Sequence, residues 1–133
     1  MSVGELLQAA LAAALREDAV LAEGLTAVFD ALPVRSARPW ALVEEPALTD
    51  RGTKDAAGRE ARIAVVLHDT GERPVRLRGL AGAVEQVVAA LPAELGEGWR
   101  IASLALLRSR VLREGEGRWA ALVEFRVRML RGG

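Results

Sequence analysis

The stretch WRIASLALLRSRVLREGEGRWAALVEFRVRML, Trp99 to Leu130, decides the fold. Two long runs of strand-forming residues flank Glu114-Gly115-Glu116-Gly117, where glycines beside acidic residues supply turn chemistry. The segment therefore predicts a long β-hairpin. In its second arm Trp119, Ala121, Val123, Phe125, Val127 and Met129 fall on one face of an extended chain. Ala120, Leu122, Glu124, Arg126 and Arg128 fall on the other, because side chains alternate along a strand. One apolar and one more polar face ask for a cover on the apolar side only, and helices are the natural cover.

Such helices are legible on the N-terminal side of the hairpin. LRGLAGAVEQVVAAL places Leu77, Leu80, Val84, Val87 and Leu91 on one helical face, after Pro74 and before Pro92. Gly79 and Gly82 weaken this helix by up to about 1 kcal/mol each relative to Ala, which suggests a close approach to the sheet. At the N-terminus, Ser2 and Glu5 form a capping-box pattern ahead of a helix reaching about Glu17. Leu7, Leu11, Ala14 and Leu15 give it an apolar face. Asp18 is placed to cap a short second turn, AVLAEG, ended by Gly24.

Three further strands are expected between the helices. They are LTAVFDALP, closed by Pro33; RPWALVEE, with Trp40 and Leu42 on one face; and EARIAVVLH, with Ala61, Ile63, Val65 and Leu67 on one side. The expected fold class is α+β, in the order α-β-β-β-α-β-β. It has an antiparallel sheet of about four to five strands with two main helices packed on one face, in a single domain over residues 1–133. The expected core anchors are Leu7, Leu11, Trp40, Ile63, Val65, Leu80, Val84, Leu91, Trp119, Val123 and Phe125, with Trp99 capping an edge.

Composition excludes several function classes. Cysteine is absent and there is one histidine, so a disulfide framework, a thiolate metal site and a His-based zinc site are all unexpected. MSVGELLQAALAAALREDA lacks the basic start of a secretory signal and carries Glu5 early. No apolar run approaches the roughly 20 residues that span a bilayer, so a soluble cytosolic chain without membrane contact is expected. The formal net charge is zero but unevenly spread. Acid prevails in the first fifty residues, whereas arginines dominate after Glu97, at positions 100, 108, 110, 113, 118, 126, 128 and 131. Acidic and basic regions in a neutral chain suit head-to-tail contact between copies as readily as nucleic-acid binding.

The segment TDRGTKDAAGRE, Thr49 to Glu60, contains the only lysine, Lys54. A phosphate loop would need a glycine directly before the lysine, a hydroxyl residue after it and a helix next. Asp55 follows Lys54 and a strand comes next, so the segment reads as a polar connection between strands. Gly52 and Gly58 give its flanks freedom to turn. His68-Asp69 would be half of a catalytic dyad only with a nucleophile, and Ser2, Ser36, Ser103 and Ser109 stand in no nucleophile-elbow context. The neighbours Glu44 and Glu45 point to opposite faces of a strand and make a poor acid–base pair. Glu114 and Glu116 sit at a hairpin tip. No catalytic residue, cofactor or metal ligand is therefore assigned.

Arg108, Arg110, Arg126 and Arg128 alternate on neighbouring strands and suggest a basic stripe on one sheet face. Contact with a nucleic-acid backbone, pairing with acidic groups of another subunit, and a merely solvated face all fit. Single-strand binders add exposed aromatics to such a stripe, and tyrosine is absent here, so subunit pairing is preferred. A small nucleic-acid-binding α+β module using the Arg-rich hairpin is the alternative.

Over nearly its whole length the chain resembles the small phage tail-completion proteins, the tail terminators of siphophages, prophages and gene transfer agents. The segments that carry the resemblance are LLQAALAAALREDAVLAEGL, VFDALP, RPWALVEE, TDRGTKDAAGREARIAVVLH, LRGLAGAVEQVVAAL and RIASLALLRSRVLREGEGRWAALVEFRVRM, in that order and spacing. The resemblance implies a structural, non-enzymatic subunit of a homo-hexameric ring at the head-proximal end of a tail. Such a ring stops tail-tube polymerisation and offers the head-joining surface. The implied partners are further copies, the tail-tube protein and a head-completion or stopper protein, with DNA only as cargo through the lumen. The implied location is the bacterial cytoplasm during assembly and then the particle. Arg51, Thr53, Lys54, Asp55 and Arg59, with the four arginines of the stripe, are then candidate contact residues, and the Lys54 loop is expected to be poorly ordered in an isolated subunit.

Overall fold

A computed structural model describes residues 1–54 and 56–132. The chain folds as a mixed α+β structure. Helix α1 (Val3–Glu17) is followed by a short α2 (Ala19–Gly24) and strands β1 (Ala27–Phe29), β2 (Trp40–Val43), β3 (Ala47–Asp50) and β4 (Ala57–Thr70). Helix α3 (Val75–Ala89) and strands β5 (Glu94–Gly96), β6 (Trp99–Gly115) and β7 (Arg118–Arg131) complete it.

Local chemistry sets the helix ends. The Ser2 hydroxyl accepts from Glu5 N–H at 3.2 Å, and the Glu5 carboxylate accepts from Ser2 N–H at 3.3 Å. These two bonds satisfy donors that a helix start leaves open. Asp18 acts at two ends: its N–H donates to Ala14 O, closing α1, and its carboxylate accepts from Leu21 N–H, opening α2. Gly24 lets α2 approach α3, since a Cβ there would lie 2.6 Å from Leu80 Cδ2. The expected close approach at Gly79 and Gly82 does not occur; nothing lies within 4 Å of a Cβ built at either. On α3 the inward residue near the end is Val88 rather than Val87, because a 15-residue helix follows the 3.6-residue period. Leu91 lies beyond the helix and is partly buried.

The sheet is larger than the expected four to five strands. Among the described residues it has seven, in the order β1-β2-β4-β7-β6-β5, with β3 also paired to β4. The two additions are short. β3 pairs with β4 from Ala47↔Arg62 to Asp50↔Arg59, and β5 pairs with the start of β6. Neither is long enough to show a strand periodicity in the sequence. The sheet is also not wholly antiparallel, because β1 runs parallel to β2. β4 and β7 pair without interruption from Ala57↔Arg131 to Thr70↔Arg118. The β6–β7 hairpin turns at Glu116-Gly117 and carries register shifts near Ala102, Leu107 and Glu114, which bend β6.

One cluster of buried side chains joins the elements. Leu7, Leu11 and Leu15 of α1 and Leu77, Leu80 and Val84 of α3 belong to it. So do Ile63, Val65 and Leu67 of β4 and Val123, Phe125, Val127 and Met129 of β7. Burying a side chain of this size contributes about 1.5–3 kcal/mol. Trp99 is in the cluster, and Trp119 packs against it while donating from Nε1 to Gly71 O at 3.0 Å. Trp40 is buried but stands outside the cluster. Its strand turns Ala41 and Val43 inward, which puts Trp40 on the other face, stacked on His68 with ring centroids 4.4 Å apart.

Candidate functional site

The register of the three long strands assembles the outward face of the sheet. On β7, Leu122, Glu124, Arg126 and Arg128 lie opposite Val66, Ala64, Arg62 and Glu60 of β4. On the other side they face Arg110, Arg108, Ala105 and Ser103 of β6. The four arginines of the hairpin therefore share one face, and Arg62 joins them as a fifth. Arg62 escaped sequence reading because it belongs to a strand whose apolar alternation drew attention to its other face. The bulge near Leu107 shifts Arg108 and Arg110 against Arg126 and Arg128, so the four form two offset pairs instead of one line.

Carboxylates interrupt the stripe. Glu60 Oε1 lies 3.9 Å from Arg126 Nε, and Glu60 Oε2 lies 3.9 Å from Arg51 Nε. The fold thus brings Arg51 of the polar connection and Arg126 of the hairpin to a single carboxylate. Arg62, Arg108, Arg110 and Arg128 make no ion pair within 4 Å among the described residues. The aromatic rings of this face among the described residues are Phe29, Trp40 and His68, which pack on one another, Phe29 edge-on to Trp40 and Trp40 stacked on His68, so none of them stands free for a base to stack on.

The polar connection is the tip of the β3–β4 hairpin. Arg51 N–H donates to Gly58 O at 2.9 Å and Thr53 N–H to Ala56 O at 2.8 Å. Gly52 N–H donates to the Asp50 carboxylate, and Ala56 N–H to the Thr53 hydroxyl. Gly58 is required by packing: a Cβ there would lie 2.3 Å from Arg51 O. Lys54 is exposed and makes no ion pair among the described residues. Asp55 lies outside the described residues. Arg59 is half-buried, and its Nε is the one buried side-chain polar atom without a hydrogen-bond partner among the described residues.

The other charged groups hold the fold. Asp69 is 3% exposed and accepts from Arg76 Nη2 at 2.6 Å, Arg76 Nε at 3.0 Å and Thr70 N–H at 2.8 Å. Burial pushes its carboxyl up, but the hydrogen bonds from Arg76 and Thr70 outweigh this and hold it below the usual carboxylate range. His68 Nδ1 lies 2.9 Å from Glu114 Oε1, which is also 3.8 Å from Arg38 Nη1. Arg38, Glu114 and Arg118 line an open cleft of about 190 Å³. Sequence reading also missed Gln8, a buried amide whose Nε2 donates to Asp30 O and Val43 O at 3.1 Å each, tying α1 to the ends of β1 and β2. Its signal was a lone polar residue beside Leu7 and Leu11.

Among the described residues no group of three His, Cys, Asp or Glu side chains gathers as for a metal ion. Among them, too, no helix is long and apolar enough to cross a membrane.

The whole architecture has a solved counterpart. The chain is similar to a chain in the structure described as the virion of a native gene transfer agent particle, with 28% identity and a TM-score of 0.83. The match covers 97% of this chain and 98% of that one. No curated protein sequence matches the chain. The family described as tail completion protein gp17 matches residues 9–130, and the chain belongs to that family.

Proposed function

We propose that the chain is a structural tail terminator, and that its copies form a ring at the head-proximal end of a phage-like tail. In this reading the ring stops tube polymerisation and presents the surface to which the head joins. The observation that carries it is the near end-to-end match to a chain of a gene transfer agent virion, within a tail-completion family. A subunit matched over its whole length to a particle component needs a shape and contact surfaces rather than a reaction centre.

The partners are further copies of the chain, the tail-tube protein and a head-completion or stopper protein. A homo-hexamer is the proposed stoichiometry, with DNA passing through the lumen as cargo. Assembly takes place in the bacterial cytoplasm, and the product resides in the particle. The contact residues proposed are Arg51, Thr53, Lys54 and Arg59 near the β3–β4 tip, Asp55 next to Lys54 in the sequence, and Arg108, Arg110, Arg126 and Arg128 on the sheet.

Mass measurement across concentration, with and without the tube protein, tests the reading. A closed oligomer that caps tubes of uniform length is the expected result. A chain that stays monomeric even with the tube protein overturns it.

A further inference from the structure

Two surfaces at opposite edges of the sheet are complementary. The first is the free edge of β6. Past Ile101, whose N–H donates to Ala93 O, this strand has no partner on its outer side among the described residues, and Leu106 and Leu107 are 47% and 36% exposed. A long uncovered edge with apolar residues invites association unless a partner covers it. Arg108 and Arg110 follow those leucines directly. The second surface is an open cleft of about 370 Å³ beside β1 and β2, where Leu32 and Leu42 supply apolar surface and Asp30, Glu44 and Glu45 supply acid.

The register places the two surfaces at one height. Glu44 N–H donates to Ala64 O at 2.9 Å, Ala64 is the partner of Glu124, and Glu124 is the partner of Arg108. The next row runs from Leu42 through Val66 and Leu122 to Arg110. Glu44 and Arg108 therefore end one transverse row on the same face of the sheet. Rotation about an axis along the strands moves nothing along that axis. For a ring whose axis runs along the strands, a head-to-tail contact closes only when its two unlike patches sit at equal height, as these do.

We infer, on the ring reading given above, that the Leu106–Arg110 edge of one copy seats in the acid-rimmed cleft of the next, with Arg108 against Glu44. The apolar centre excludes water, and the opposite charges fix register and direction. Because donor and acceptor surfaces differ, each copy uses both, and the contact propagates until the ring closes.

The chain has no cysteine, which permits a direct test. Within one chain, positions 44 and 108 are three strand spacings apart, about 14 Å, beyond the roughly 4.4–6.8 Å Cα separation of a disulfide. Mild oxidation of the assembled Glu44→Cys/Arg108→Cys variant is expected to give a ladder of covalent multimers, while each single variant gives none. Arg108→Glu and Glu44→Arg, each checked for a native circular dichroism spectrum, are expected to weaken assembly at least tenfold, and their combination to restore it. Unchanged assembly of both reversal variants with no ladder, or dimers from a single-cysteine variant, overturns the interface and leaves the ring standing. A wild-type chain that never assembles overturns both.

Discussion

His68 and Asp69 are adjacent in β4 yet serve opposite faces of the sheet. His68 stacks on Trp40 and meets Glu114, whereas Asp69 is gripped by Arg76 at the start of α3. Strand pleating keeps the two side chains apart, so neither orients the other as a base and its partner must. Each instead joins elements distant in sequence: β4 to β2 and the β6–β7 tip through His68, and β4 to α3 through Asp69.

The Asp69–Arg76 pair makes stability depend on acid. The folded-state pKa of Asp69 is depressed, so its contribution is fully present above the unfolded carboxylate value near 3.9. It is lost as pH falls through the lower folded value. Urea midpoints are expected to drop below about pH 4, and Asp69→Asn to flatten that part of the profile. At neutral pH the same variant costs about 1–2 kcal/mol, a figure reduced because Arg76 is more than half exposed. A wild-type profile identical to that of Asp69→Asn between pH 2 and 5 contradicts the assignment.

Gly58 is the hinge of the β3–β4 hairpin on steric grounds. Its missing Cβ makes room for the Arg51 carbonyl, which a methyl would meet at 2.3 Å. Backbone, unlike a flexible side-chain end, has nowhere to move. Gly58→Ala is expected to destabilise by about 1–3 kcal/mol, with faster amide exchange in β3 than in the β4–β7 centre. Gly79→Ala makes the opposite case: it has open space and a helical backbone, and should stabilise by up to about 1 kcal/mol. Thermal melts of both variants separate steric need from mere glycine content.

What could be read from the sequence was whatever repeats along it. Phe125, Val127 and Met129 declare a buried face by alternation, and Leu77, Leu80 and Val84 by helical spacing. β3 and β5 are four and three residues long, too short to alternate visibly, so the sheet gained two strands. Trp40 shows the limit of the size argument: a large aromatic marks burial, but not which face buries it. Its packing partner, His68, is 28 positions away and only pairing reveals it. The same holds for the candidate surface. Arginines 108, 110, 126 and 128 were visible as an alternating set, while Arg62, the Glu60 bridge to Arg51 and the bulge near Leu107 are products of register.

The composition of that face also separates the two functional readings. Five arginines are interspersed with Glu60 and Glu124, and the rings of this face among the described residues, Phe29, Trp40 and His68, are packed on one another. Binding of a single-stranded oligonucleotide at physiological salt is expected to be no tighter than non-specific contact, with a dissociation constant of about 10⁻⁴–10⁻⁶ M. Arg126→Ala/Arg128→Ala is expected to change assembly more than oligonucleotide binding. Tighter binding that falls steeply with salt and is lost in this variant would move the assignment to the nucleic-acid module.

Lys54 sits at the tip of the β3–β4 hairpin, exposed and unpaired among the described residues. A charge in that position contributes little to folding, so Lys54→Ala is expected to leave stability within about 0.5 kcal/mol of wild type. If the tip touches a neighbour or the tail tube, the cost appears instead in association. Co-sedimentation with tube protein is expected to weaken in Lys54→Ala, and the Gly52 and Thr53 amides to exchange faster than those of Ile63 and Val65 in the free chain. Their bonds are local to the tip, so little of the core has to open to release them. On assembly their exchange is expected to slow. Strong protection of these amides in the free chain, together with unchanged tube binding by Lys54→Ala, would remove the tip from the list of contact surfaces and leave Lys54 as a solvated charge.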